Sequence, residues 1–267
     1  MRYGVIADIH ANLHALRAAI ARLRRDGVDA WLCAGDVVGY GPHPNECVET
    51  VAELGAVCVA GNHELLVERR LDERTAGRLA RETIGWTRAV LRDDCRAYLA
   101  ALPLVATAPG IVMTHGSLQG PDEYVRREED AARQLGLLAR DHPDARVLIV
   151  GHTHEPWVHG ERSGTLARGP AGAVALPPGD RYLLNPGAVG QSRERAKPPR
   201  ALCMTLDLEP ARVRLLWERY DVRACRAALR RHRLAVDAIH IHPGALATAR
   251  RRGRRALRWS LRRSPRP

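Results

Sequence analysis

An α/β fold is predicted for this chain by three observations. Short apolar runs alternate with amphipathic stretches over its first 155 residues, the order of strand and helix in a layered α/β body. Five of those runs end in residues of one restricted kind, Asp, Asn or His, mostly beside a glycine. After residue 155 short runs follow one another between Gly and Pro, as antiparallel strands do.

The elements follow in order. Residues 2–7, 30–34 and 56–60 read as buried strands. Between the first two, Leu13, Leu16, Ala19, Ile20 and Leu23 share one helical face. Residues 44–54 form a second helix, with Pro44 at its start, where a missing N–H costs nothing. The Arg/Glu-rich stretch 72–102 reads as helical, and residues 65–70 as a short helix before it. Strands are predicted at 110–114 and 146–150, separated by a helix over 128–140. Short strands then follow at 173–176, 181–184, 201–206 and 213–217, and a helix at 221–233. Residues 1–233 are expected to form one domain, and residues 234–267 a flexible Arg-rich extension.

The strand ends carry the chemistry. They deliver Asp8 and His10, Asp36, Asn62 and His63, His115, and His152 and His154. In an open α/β sheet the carboxyl ends of strands face the crevice where ligands bind. A lone Asp or Asn there is usually a cap, and a lone His usually a satisfied surface or core residue. Five strand ends of this kind in one chain are harder to explain as turns. Carboxylates and neutral imidazoles suit borderline divalent ions, and no cysteine sits among the candidates to form a thiolate zinc site. A single ion would be oversupplied. Two ions need a bridging carboxylate, for which Asp36 is the candidate.

The set D8-x-H10, G35-D36-x-x-G39, G61-N62-H63-E64, H115-G116 and G151-H152-x-H154, in this order, resembles the calcineurin-like metallophosphoesterase superfamily. The stretches GDVVGYGPHPNECVE, THGSL, VGHTHEPW, NPGAVGQSR and YDVRA resemble its small bacterial phosphoesterase branch. The resemblance covers roughly residues 2–233. It implies a four-layer α-β-β-α sandwich, two mixed β-sheets flanked by helices. It also implies one metal on Asp8, His10, Asp36 and His154, and another on Asp36, Asn62, His115 and His152. His63 is then the catalytic residue, unliganded and facing the phosphate. The expected cofactors are two divalent metal ions, Mn²⁺ first, with Fe, Zn, Ni or Mg as alternatives. The implied reaction is hydrolysis of a phosphate mono- or diester by a metal-bridging hydroxide.

Three positions depart from the branch. Glu64 stands where Asp is common, and is expected either to support His63 or to cap the helix that follows. His43 replaces an acidic residue and Ala188 a serine, and both are expected near the substrate mouth. The ligand set equally fits a nucleotide-directed phosphodiesterase, a dinucleoside polyphosphatase or a protein phosphatase. The Ser/Thr protein phosphatases, however, carry an Asp-Arg-Gly that GDVVGYG lacks. A non-catalytic scaffold on the same fold is the alternative outside enzymes, and such scaffolds tend to lose the ligands that this chain keeps.

Composition bounds the remaining readings. The formal charge is +12, yet residues 223–267 hold 14 Arg against the single acid Asp237, so the body is close to neutral. All basic residues but Lys197 are Arg, as a codon bias produces. The tail is expected to be a solvated extension, with a weak polyanion or anionic-membrane contact, assisted by Leu257, Trp259 and Leu261, as the alternative. His240-x-His242 reads as loop histidines before a metal pair. No apolar run approaches the roughly 18–20 residues of a membrane helix. MRYGVIADIH has no apolar signal core, and six scattered cysteines without a CxxC pair fit a reducing compartment. A cytoplasmic enzyme acting on a phosphorylated small molecule or nucleotide is expected.

Overall fold

A strand whose side chains are apolar on both faces must be covered on both sides. In the computed structural model, which describes residues 1–241, two such sheets lie face to face with helices outside them. The first sheet has the order β3 (Val57–Cys58), β2 (Ala30–Cys33), β1 (Arg2–Ile6), β11 (Ala201–Asp207), β12 (Arg212–Glu218), β9 (Gly172–Ala175). The second has the order β4 (Val105–Ala108), β5 (Ile111–Thr114), β6 (Val147–Ile149), β10 (Tyr182–Asn185), β7 (Trp157–Gly160), β8 (Gly164–Arg168). Both are mixed: β1, β2 and β3 run parallel, as do β5, β6 and β10, and the remaining pairs are antiparallel.

The period-two alternation sorts the residues into layers. Tyr3, Val5 and Ala7 meet Ile111, Met113, Val147, Ile149, Tyr182 and Leu184 between the sheets. Ile6 and Cys33 point the other way, against α1 (Leu13–Arg25) and α2 (Pro44–Glu53). Val112, Leu148 and Leu183 pack under α6 (Glu128–Asp141) through Ala131, Leu135 and Leu138. Two mixed sheets flanked by helices match the predicted class.

The elements differ from expectation in four places. The helical stretch 72–102 is a 3-10 turn followed by α4 (Arg78–Val90) and α5 (Asp93–Ala100). Leu91 and Arg92 are extended at the break, and Asp93 and Asp94 favour a fresh helix N-terminus. Strands β4, β7 and β8 were not anticipated. β4 and β8 are half-exposed sheet edges, which leave a weak hydrophobic pattern. The helix expected from residue 65 starts earlier, as α3 (Asn62–Val67).

The last difference concerns residues 234–241, which pack onto the body where a flexible extension was expected. Ile239 is fully buried beside Val222, Cys225 and Leu229 of α7 (Val222–Arg231). Ser192 N–H donates to the Ile239 carbonyl at 3.0 Å, and Ile241 N–H to that of Ser192 at 3.0 Å. The Arg-rich stretch 242–267 and the contacts expected of it, like His242, lie outside the described residues. All six cysteines are buried and unpaired. Among the described residues no helix is long and apolar enough to cross a membrane.

Candidate metal centre

The carboxyl ends of β1, β2 and β3 meet those of β5 and β6 at one edge of the two sheets. Asp8 N–H donates to the Gly35 carbonyl (3.0 Å) and His10 N–H to that of Asp36 (2.9 Å), which ties the β1 and β2 loops together. Gly151 N–H donates to the His115 carbonyl at 2.7 Å, joining the other two. The His115 ring crosses between sheets, its Nδ1 lying 2.6 Å from the Ala34 carbonyl.

Asp8, His10, Asp36, His152 and His154 all have φ between 48° and 63°. Side chains other than glycine pay for this left-handed region, on the order of 1–3 kcal/mol each, and such strain clusters at functional sites. Gly61 is required by packing instead. A Cβ there would strike the Asp36 carboxylate.

The side chains converge on two clusters. Asp8 Oδ1 lies 3.2 Å from His154 Nε2 and 3.8 Å from His10 Nε2. Asp36 Oδ2 lies 3.2 Å from His115 Nε2 and 3.6 Å from His10 Nε2, so it touches both clusters. Asn62 Oδ1 is 3.1 Å from His115 Nε2. His152 joins Asp36 and His115 in a group whose ligand-type atoms lie within 4.8 Å of one another, and Asp8, His10 and His154 form another such group. His63 lies beside the clusters, its Nε2 4.0 Å from Asp36 Oδ2 and its ring 4.7 Å from that of His10. Every residue expected at the metals is therefore at one place.

Backbone carbonyls select the tautomers. Val38, Ala34 and Gln191 carbonyls face Nδ1 of His10 (3.3 Å), His115 (2.6 Å) and His154 (2.7 Å), leaving Nε2 inward. His152 is reversed: its Nε2 faces the Asp122 carbonyl at 3.1 Å, leaving Nδ1 inward. Burial disfavours the charged forms of His10, His63 and His154, and lowers His152 to about 3. Consequently the inward Nε2 atoms of His10 and His154, 3.3 Å apart, present lone pairs to each other. Both carboxylate oxygens of Asp8, fully buried, have no hydrogen-bond partner. Burial first of all raises that carboxyl to about 7. Opposed lone pairs beside an unpartnered carboxylate are costly in a protein interior and fit a divalent cation between them.

Glu64 does not reach His63 with a hydrogen bond. Its Oε2 accepts from the N–H groups of Gly61 (2.7 Å) and Asp36 (2.8 Å), and its Oε1 from that of Val38 (3.1 Å). It caps α3 and at the same time holds the Asp36 loop. This is the cap of the two expected roles, extended to a second segment.

A cavity of about 130 Å³, open to solvent, lies over the clusters. Its walls include Tyr40, Tyr124 and Arg193 together with the apolar Leu66, Leu71 and Ala80. Neither His43 nor Ala188, expected near the substrate mouth, lines it. His43 instead starts α2 and faces the His14 ring at 5.3 Å, while Ala188 is fully buried. Sequence reasoning missed Tyr40, Tyr124 and Arg193. Tyr124 stacks on His152 (4.0 Å between centroids), a contact between residues 28 positions apart that no local pattern signals. Arg193 belongs to NPGAVGQSR, a stretch that drew attention without yielding a role.

Residues 1–171 match the calcineurin-like phosphoesterase family. The chain belongs to that family. An uncharacterised protein of Methanocaldococcus jannaschii is 30% identical over 237 residues, covering 86% of this chain and 92% of its own. Among solved structures, a metallophosphoesterase from Sphaerobacter thermophilus aligns with a TM-score of 0.78 and 32% identity, over 90% of this chain and 97% of its own. A hypothetical protein from Pyrococcus horikoshii shares the fold, with a TM-score of 0.72 and 20% identity over 89% and 96%. Family, fold and candidate ligands agree on a metal-dependent phosphoesterase.

Proposed function

We propose that this phosphoesterase uses a dinuclear metal centre to hydrolyse a phosphate ester directly, without a covalent enzyme intermediate. The observation that carries the reading is the set of inward lone pairs on His10 and His154 against the unpartnered Asp8 carboxylate, joined through Asp36 to His115. Asp8, His10, Asp36 and His154 would hold one ion, and Asp36, Asn62, His115 and His152 the other. The donors are carboxylate, amide and imidazole, which suits Mn²⁺ and admits Fe, Zn, Ni or Mg. When bound, the ions supply an activated water and neutralise charge growing on the phosphoryl oxygens.

The chain's own residues do the rest. Asp36 ties the two ligand sets together, and its Oδ1 accepts from His63 N–H at 2.9 Å, fixing where the His63 ring starts. Tyr40 flanks that ring, 4.6 Å between centroids. Burial disfavours the charged form of His63, so its neutral ring would donate a hydrogen bond to the leaving oxygen and stabilise the charge that develops there, the proton itself coming from solvent. The cavity contributes a hydroxyl from Tyr40 and a guanidinium from Arg193, and no serine or cysteine lines it as a nucleophile.

A panel of phosphomonoesters, cyclic nucleotides, dinucleoside polyphosphates and phosphopeptides, assayed with Mn²⁺, tests the reading. The expected outcome is hydrolysis of at least one class, abolished by chelation and restored by the ion. His63→Gln should retain the wild-type metal content by elemental analysis and lose roughly 10²- to 10⁴-fold in turnover. Full turnover in a metal-free sample would overturn the proposal.

A further inference from the structure

No carboxylate lies at ion-pair distance from Arg193, although its charge is felt by the buried Asp8. Among the described residues it forms no ion pair, and its single hydrogen bond runs from Nε to the Gln191 side chain at 3.2 Å. Both Nη groups are left without protein partners. Yet the residue is half-buried and is the only Arg or Lys among the residues lining the cavity.

The position is built rather than incidental. Gln191 is fully buried, and its carbonyl faces His154 Nδ1, so one loop both orients a ligand histidine and delivers the guanidinium. The packed segment around Ile239–Ile241 pairs with Ser192 on one side. On the other side Glu194 is held by Arg200 in an ion pair of 2.6 Å, and its carbonyl faces His240 Nε2 at 3.0 Å. Arg193 is thus pinned between braced neighbours in the cavity wall.

A cation beside sites for two divalent ions is unfavourable unless an anion arrives. Two carboxylates, Asp8 and Asp36, belong to the candidate ligand set, while Asp122 in the cavity wall is solvent-exposed and its charge screened, so at the buried centre two bound ions plus Arg193 leave a positive excess even after one hydroxide is added. A phosphomonoester dianion cancels that excess, whereas a diester, with one negative charge, leaves part of it. Arginine also matches phosphate in shape, offering two parallel N–H donors to two oxygens.

We propose that Arg193 grips the non-bridging oxygens of the substrate phosphoryl group and that the site is selective for phosphomonoester dianions. The inference rests on the phosphoesterase reading above and narrows its substrate class. Arg193 is here a substrate-binding residue, distinct from the metal ligands and from His63.

The test compares wild type, Arg193→Lys and Arg193→Gln as Mn²⁺-loaded full chains. p-Nitrophenyl phosphate and bis-p-nitrophenyl phosphate serve as monoester and diester, and inorganic phosphate is titrated separately by calorimetry. Wild type is expected to prefer the monoester. Arg193→Gln should lose about ten- to hundredfold in kcat/KM on the monoester and in phosphate affinity, the scale of a charge-assisted pair, with under threefold loss on the diester. Arg193→Lys, which keeps the charge but not the fork, should fall between. Metal content should stay at the wild-type level in both. A wild type faster on the diester overturns the proposed selectivity. Unchanged phosphate affinity in Arg193→Gln overturns the grip, and a rise in metal affinity with it would assign the guanidinium to balancing Asp8. If neither ester is hydrolysed with any ion, the phosphoesterase reading fails, while the phosphate titration still decides whether Arg193 binds the anion.

Discussion

Glu64 follows His63 in the chain but serves the backbone, not the ring. Three N–H donors converge on its carboxylate, from Gly61, Asp36 and Val38, while burial and then the Asp36 charge raise its pKa to about 7. Replacing it by Gln turns one acceptor oxygen into a donor facing those N–H groups. Glu64→Gln is therefore expected to destabilise the fold by about 1–3 kcal/mol, the cost of a buried donor left unmade, read from the urea midpoint. The pH–rate profile should keep its position, because no hydrogen bond links Glu64 to His63. A shifted profile with unchanged stability would return Glu64 to a role on the histidine. Residue types alone left both roles open. The choice depended on where the Asp36 loop lies, 28 residues earlier in the chain.

Among elements, the strand ends were legible and the loops that complete the site were not. An Asp, Asn or His at the end of an apolar run, mostly beside a glycine, is a local signal, and it located all seven candidate ligands and His63. The loop around Arg193 draws its rigidity from residues 239–241, almost fifty positions later, which no periodicity could announce. Ile239 is buried against α7 and its carbonyl accepts from Ser192 N–H. Ile239→Ala should cost about 2–5 kcal/mol, as large-to-small core changes do, and lower the thermal midpoint. A neutral effect would mean that this segment only rests on the body. The split of residues 72–102 into α4 and α5 was similarly hidden. Both halves are helical in pattern, and Leu91 is extended at the break although apolar.

For the whole molecule, the metal centre is a site that protons and ions contest. Burial first raises Asp8 to about 7, and Asp36, outweighing burial, holds His115 up to about 10. Each must be deprotonated to bind an ion, so binding releases protons and affinity falls as pH falls. For Asp8 the loss sets in below about pH 7; for His115 it runs across the neutral range. Calorimetric titration with Mn²⁺ should show weaker binding at pH 6 than at pH 8, approaching about tenfold per pH unit for each proton displaced. Binding independent of pH would show that the ions sit elsewhere. Saturating metal should also raise the thermal midpoint, by about 2.7 kcal/mol of stability at a hundredfold excess over Kd.

The sequence by itself determined the layered α/β class, the candidate ligand types and their order, because strand period and the residue following each strand are local properties of the chain. Only the tertiary structure decided which nitrogen of each histidine faces inward, what Glu64 holds, and that Arg193 stands unpaired over the site. Those depend on carbonyls, amides and carboxylates brought together from distant segments when the two sheets pack face to face, and such pairings have no local signature.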